Sequence, residues 1–170
     1  ELCVKYGKPD VEIWGTESGY PTSNSNPALR EVADDTGVIG QAAWMARFFT
    51  MTQAEKTLDK MFIYTLSDNN DRTNSENRFG ISTGYESAYE PFIAKPALIV
   101  AANMGRMLEG AECTESIIVG DREILAYRFE RPEKEQMVAL WTTDQRNALT
   151  LSLGVNEITV YDMYGNTETL

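Results

Sequence analysis

The segment Val11-Glu12-Ile13-Trp14-Gly15-Thr16 is typical of a β-strand, since a short apolar run bounded by glycine and proline favours extended backbone. A second run, Lys60-Met61-Phe62-Ile63-Tyr64-Thr65-Leu66, is apolar almost throughout, as strands buried on both faces are. Residues 38–53 between them carry apolar side chains at helical spacing. The main stripe consists of Val38, Ala42, Met45 and Phe49. These segments predict two adjacent parallel strands joined by a crossover helix.

The rest of the chain divides into two regions. A second helix is predicted from Lys95-Pro96 to about Leu108, because proline favours the first helical turn. Residues 1–107 therefore have the order strand, helix, strand, helix, which predicts an α/β region built from β/α units of a parallel sheet or barrel. Residues 108–170 contain short apolar runs at roughly ten-residue spacing, which predict an all-β region, an incomplete antiparallel β-sandwich. The predicted strands are 116–119, 123–129, 136–141, 148–153 and 157–161, with a further strand after Tyr164-Gly165-Asn166.

Composition excludes several classes of function. The chain has 26 acidic and 15 basic residues, and its net charge of −11 repels nucleic acid and anionic membrane surfaces. It contains no histidine, which excludes Ser-His-Asp and Cys-His catalysis and imidazole zinc sites. Cys3 and Cys113 form no metal knuckle, and one disulfide between them is left open, as is the cellular compartment. The longest apolar run, residues 97–102, is far shorter than a membrane span.

Two motif-like stretches do not meet the requirements of the sites they suggest. Gly15-Thr16-Glu17-Ser18-Gly19 has glutamate where a nucleophile elbow needs serine. The acidic loop that begins at Asp68 has Arg72 at a ligand position and Thr73 where a calcium loop needs glycine. A solvated loop is the favoured interpretation, and no metal site is predicted. No GxGxxG or phosphate-binding loop is present, so no cofactor is predicted either.

Glu17 is the main candidate for chemistry. It comes at the carboxyl end of the first predicted strand, where barrel enzymes gather their catalytic groups. A carboxylate there can attack an anomeric carbon or act as a base, and Tyr20 can hydrogen-bond or stack beside it. The plain alternative is a solvated loop residue, because glutamate often follows a strand without any catalytic role.

Four sequence blocks resemble the large clan of retaining (β/α)8-barrel glycoside hydrolases. The block at residues 13–21, Ile-Trp-Gly-Thr-Glu-Ser-Gly-Tyr-Pro, resembles the seventh barrel strand of that clan, and residues 62–68 resemble the eighth. Residues 76–81 and the start of the eighth helix at Lys95-Pro96-Ala97 follow in the same order. The resemblance covers residues 1–107 by motif and the remainder by class, since the clan commonly carries an accessory β-sandwich. Two positions depart from the clan pattern, Ser18 where many members have an aromatic residue and Ile63 where some have a substrate-stacking tryptophan.

The resemblance implies a fold and a set of roles. The fold would be the last two β/α units of a TIM barrel plus part of a β-sandwich, cut from a longer chain because Glu1 is not an initiator methionine. Glu17 would be the nucleophile, and the acid/base glutamate would end the fourth strand, upstream of Glu1. Carbohydrate would be the substrate, with Tyr20, Tyr64 and Asp68 as candidate substrate contacts. The alternatives are barrel packing for Tyr64 and loop capping for Asp68. The chain by itself would self-associate or associate with the missing barrel half.

Other interpretations remain open at the level of sequence. The chain could be a non-catalytic carbohydrate-binding or interaction module, which exposed aromatic side chains on one sandwich face would favour. It could also be an α/β domain of unrelated function in which Glu17 is an ordinary loop residue. Strand alternation further predicts that Trp14 points toward the helices and lies in the core.

Overall fold

A computed structural model describes residues 2–22, 37–69, 75–84, 93–119, 124–142, 150 and 152–170, and the fold is mixed α/β. Among the residues that the structure describes, the first region has two strands and three helices, and the second region has five strands. The elements of the first region are α1 (Leu2–Lys5), β1 (Trp14–Ser18), α2 (Val38–Glu55), β2 (Lys60–Ile63), a 3-10 turn (Ser75–Arg78) and α3 (Pro96–Leu108). Those of the second are β3 (Glu112–Val119), β4 (Ile124–Glu130), a 3-10 turn (Pro132–Lys134), β5 (Gln136–Thr142), β6 (Thr159–Tyr161) and β7 (Thr167–Thr169).

Strands β1 and β2 are parallel neighbours, which confirms the predicted pairing. Both strands differ from the prediction in their bounds. Strand β1 begins and ends later in the chain than the predicted 11–16, and β2 ends at Ile63 instead of Leu66. The reason lies in the partners of the next residues. The amide of Thr65 donates to the carbonyl of Phe79, and the amide of Ser82 donates to the carbonyl of Leu66. Tyr64 still donates its amide to Ser18 of β1, but from Thr65 onward the chain pairs with residues 79–82.

The two long helices pack against each other, and α2 contacts β2 through Thr52 and Met61, while Ile63 of β2 packs on the core cluster. Helix α3 begins with proline in its first turn and ends as predicted, while α2 extends two residues beyond the predicted 38–53. The core between them contains Ala42, Met45, Ile81, Ala97 and Val100. Within the predicted stripe on α2, Ala42 and Met45 are buried, Phe49 is partly buried against both core clusters, and Val38 in the first turn is exposed.

The prediction that Trp14 lies in the core is wrong for this chain. Trp14 is 48% exposed, and its ring centroid lies 5.9 Å from that of Phe62, which is also exposed. The side chains of β1 alternate between the two faces of the strand pair, and Gly15, not Trp14, is on the helix side. A Cβ added to Gly15 would lie 2.8 Å from Leu58. Trp14 therefore shares with Phe62 the face of the strand pair that the helices leave open.

The second region is antiparallel. Strands β3, β4 and β5 form one sheet, and β6 and β7 form a hairpin in which the strand predicted after Tyr164-Gly165-Asn166 is β7. The sheet packs on α2 and α3 through a second core cluster, with buried Leu108, Ala111, Tyr127 and Phe129. The predicted strand at 148–153 lies partly outside the described residues, and its described positions are not in a strand. The sandwich and the boundary at residue 108 remain predictions.

Two further features concern the chain as a whole. Cys3 and Cys113 are both free thiols, so the disulfide that the sequence left open is not formed. A membrane span would need a longer and more apolar helix than any found in the described part of the chain.

Candidate active site

A β-bulge turns Glu17 toward the open face of the strand pair. Gly15 pairs with Met61 and Ser18 pairs with Ile63, so three steps along β1 match two along β2. Thr16 and Glu17 are consequently both exposed, between the partly buried Gly15 and Ser18. A bulge inserts one residue and re-aims the side chains that follow it. The carboxylate of Glu17 therefore lies at the carboxyl end of β1, on the side away from the helices.

Tyr64 is held beside Glu17 by backbone and side-chain contacts. Its amide donates to the carbonyl of Ser18 at 2.8 Å, and the ring of Phe79 packs edge-on against its ring at a centroid distance of 5.5 Å. The phenol hydrogen bond to Glu76 is the largest cause that raises the pKa of Tyr64. The negative charge of Glu76, burial and the charge of Glu17 raise it further. The structure thus brings Glu17, Tyr64 and Glu76 together, and Tyr64 stays protonated at neutral pH.

Glu76 is a residue that sequence reasoning missed as a site residue. It lies in the 3-10 turn Ser75–Arg78, far from β1 in the chain. That turn is anchored at its end, because the amide of Asn69 donates to Asn77 and the amide of Thr22 donates to Arg78. The only signal in the sequence was its place at the start of the block at residues 76–81, to which no role was attached.

Tyr20 and Asp68 lie at the same end of the strands as Glu17 but face other partners. The ring of Tyr20 stacks on Trp44 of α2 at a centroid distance of 5.9 Å. Asp68 forms a buried ion pair with Lys95 and accepts a hydrogen bond from the amide of Gly80 at 2.9 Å. Burial lowers the pKa of Lys95, and the hydrogen bond to Asp68 opposes that effect.

The described residues include no group of three or more side chains that could hold a metal ion. Most of the acidic loop that begins at Asp68 lies outside the described residues. The site combines the exposed carboxylate of Glu17 with the neutral phenol of Tyr64, whose O–H is donated to a second exposed carboxylate, that of Glu76. Glu17 can supply a nucleophile to a polar ligand, and the phenol oxygen of Tyr64 can accept a hydrogen bond from it.

The sequence matches no protein-family model, and a search of the curated proteins gives no match. Comparison with solved structures finds the same fold in a glycoside hydrolase. That protein is a family 39 glycoside hydrolase from the gut symbiont Bacteroides cellulosilyticus WH2, with a TM-score of 0.61 and 22% sequence identity. The match covers 92% of this chain and 26% of the other, so this chain spans about a quarter of that structure. The expected similarity to glycoside hydrolases is confirmed at the level of fold.

Proposed function

We propose that this chain is the carboxyl-terminal part of a retaining (β/α)8-barrel glycoside hydrolase, with Glu17 as its nucleophile. The observation that carries the proposal is the position of Glu17, at the carboxyl end of a parallel strand and turned by a bulge to the open face. Active sites of barrel enzymes lie at this end of the strands. The shared fold with a family 39 glycoside hydrolase supports the same class of protein.

The chemistry would be a double displacement at the anomeric carbon. The Glu17 carboxylate attacks that carbon as the glycosidic bond breaks, and an acid on another barrel strand protonates the leaving oxygen. The same group then takes a proton from water, which attacks the anomeric carbon and releases Glu17. The geometry requires the two carboxyl groups to be about 5–5.5 Å apart. By the resemblance, the second group belongs to the fourth strand, upstream of Glu1.

Tyr64 would assist as a neutral neighbour of the nucleophile: its O–H is donated to Glu76, and its oxygen would accept a hydrogen bond from a sugar hydroxyl. Its raised pKa keeps the phenol protonated at neutral pH. We assign Tyr64 and Tyr20 to the substrate side of the site, with carbohydrate as the ligand. Asp68 can contribute less directly, because both of its carboxylate oxygens already lie 2.7 Å from Lys95.

The test is Glu17→Gln in a protein that carries this chain together with the remaining barrel strands. We expect kcat to fall by about three orders of magnitude or more with KM little changed, since the change removes the nucleophile and keeps its shape. Glu12→Gln, the same change at an exposed residue just before β1, is the matched control. A fluorosugar inactivator should form an ester on Glu17. A Glu17→Gln enzyme that keeps about a tenth of kcat would contradict the proposal.

The alternative of a carbohydrate-binding module finds less support in the second region. Such modules stack sugars on exposed aromatic side chains of one sheet face, but Tyr127 and Phe129 of β4 are buried. Trp141 of β5 stacks on Tyr127 at a centroid distance of 5.7 Å and is only partly exposed. These side chains stabilise the core between the sheet and the helices.

A further inference from the structure

A buried ion pair connects four segments near the strand ends that carry the candidate active site. The ammonium of Lys95 lies 2.7 Å from each carboxylate oxygen of Asp68 and 3.4 Å from the hydroxyl of Thr22. The side chains of Lys95 and Asp68 are only 5% and 7% exposed. Asp68 also accepts the amide of Gly80. These contacts join the segment after β1, the segment after β2, residues 79–82 and the start of α3.

Gln41 on α2 makes a second buried connection between the same segments. Its side chain is fully buried, and its amide nitrogen lies 2.8 Å from the carbonyl of Tyr20 and 3.0 Å from that of Gly80. The first carbonyl belongs to the segment after β1 and the second to residues 79–82. One helical side chain thus connects the segment that follows Glu17 to the segment that pairs with residues 65 and 66.

Stability alone does not account for these polar groups. Burying an ammonium and a carboxylate costs several kcal/mol of desolvation per ion, and apolar side chains of similar volume often stabilise such a position equally well. Buried polar groups do fix a single arrangement, because any displacement leaves a donor or acceptor without a partner. Here the fixed arrangement is that of the segments bearing Ser18, Tyr64 and Gly80, where hydrogen bonds run between loops as well as within strands.

We propose that Gln41, Asp68 and Lys95 form a polar clamp, a set of positioning residues that holds Glu17 and Tyr64 in register at the strand ends. The proposal deepens the proposed function and rests on it only for the role of Glu17. None of the three residues needs to contact a substrate. Their effect on the site passes through the backbone segments that they connect.

The experiment compares amide hydrogen exchange in the wild-type chain and in Asp68→Asn/Lys95→Met, a double variant that removes both charges. Asparagine keeps an acceptor for Gly80, and methionine keeps much of the apolar stem of lysine. We expect the amides of Gly80, Ile81 and Ser82 to exchange about tenfold faster or more, through local opening. Amides of β3, β4 and β5 should stay within about twofold of wild type. The matched control is Glu12→Gln/Lys60→Met, which removes an exposed ion pair and should change neither group.

A spectroscopic measurement separates positioning from a purely structural role. In the Asp68→Asn/Lys95→Met variant, the pKa of Tyr64 should fall toward its ordinary value, because the phenol moves away from Glu76 and Glu17. The Tyr64→Phe variant identifies the signal of Tyr64 in the titration. Equal loss of protection in β3–β5, outright unfolding, or no change at residues 80–82 would each contradict the proposal.

Gln41→Met provides a second, uncharged variant for which we expect the same local pattern. If Gln41→Met loses protection uniformly along the chain, or loses none at residues 80–82, that result would also contradict the clamp. Hydrogen exchange reports on the clamp whether or not Glu17 is a nucleophile, so failure of the proposed function would be seen separately, in the kinetics of Glu17→Gln.

Discussion

Gly19 is the residue at which the two strand-end segments approach most closely. A Cβ on Gly19 would overlap the carbonyl oxygen of Tyr64 and lie 2.9 Å from the ring of Phe79. The amide of Tyr64 bonds to Ser18 next to it, so the backbone has no free space in which to withdraw. The position of Tyr64 beside Glu17 therefore depends on a residue without a side chain.

Gly19→Ala should destabilise the chain by about 1–3 kcal/mol, because the methyl group can be accommodated only by moving backbone atoms. Gly105→Ala is the control, since Gly105 lies on α3 with nothing within 4 Å of an added Cβ. That change should stabilise the chain by about 0.5–1 kcal/mol through helix propensity. Urea unfolding of both variants measures the difference, and a Gly19→Ala chain as stable as wild type would contradict the close approach.

At the scale of the element, the β6–β7 hairpin depends on its turn. The carboxylate of Asp162 accepts hydrogen bonds from the amides of Tyr164 and Asn166, both at 2.9 Å, and from the side chain of Asn166 at 2.7 Å. The side-chain hydrogen bond from Asn166 is the largest cause that lowers the pKa of Asp162, and the backbone amides add to it. This turn also places Met163 and Tyr164 against the core cluster between α2 and α3.

Because its pKa is lower in the folded chain, Asp162 contributes stability that is present above its ordinary pKa of about 3.8 and is lost as pH falls through the folded value. Asp162→Asn should weaken the hairpin at neutral pH and remove this part of the acid dependence, while Asp162→Ala should weaken it more. Amide exchange of Tyr161 and Asn166 between pH 6 and pH 3 provides the measurement, with wild type as reference. An Asp162→Asn hairpin with unchanged acid dependence would contradict the assignment.

For the whole molecule, the open face of the strand pair is the dominant feature. Trp14 and Phe62 are about half exposed there, and in the described part of the chain β1 and β2 have only each other as strand partners. Unpaired strand edges and exposed aromatic side chains favour association with further chain segments. In a closed barrel these faces and edges would be covered by the neighbouring strands.

We therefore expect that this 170-residue chain alone hydrolyses no glycoside and self-associates. The proposed acid/base group lies on a barrel strand other than β1 and β2, and Glu76 is already hydrogen-bonded to Tyr64. Two strands also cannot form a pocket that excludes water. Activity with a panel of aryl glycosides and light scattering on the same sample test both expectations. Glu17-dependent turnover by a monodisperse monomer would show that the chain is a complete enzyme.

How far the sequence could predict the site differs from residue to residue. The placement of Glu17 at a strand end followed from local pattern, since Gly19 and the apolar residues before it mark where the strand stops. The bulge did not follow from local pattern, because it depends on the register of β1 with β2, whose paired residues lie about 45 positions away in the chain. Glu76 was missed for the same reason: its partner Tyr64 lies in another segment.

The sequence by itself determined the two long helices and most of the strands, in their order, because helical periodicity, the proline that begins α3 and the turn residues of the second region act over a few neighbouring positions. Helix α1 was not predicted, and the strand predicted at 148–153 is not a strand at its described positions. Only the tertiary structure decided which face Trp14 and Glu17 occupy, and that Asp68 pairs with Lys95. Such choices depend on contacts between segments far apart in the chain. Their free energy comes from packing and desolvation, which no local pattern of residues encodes.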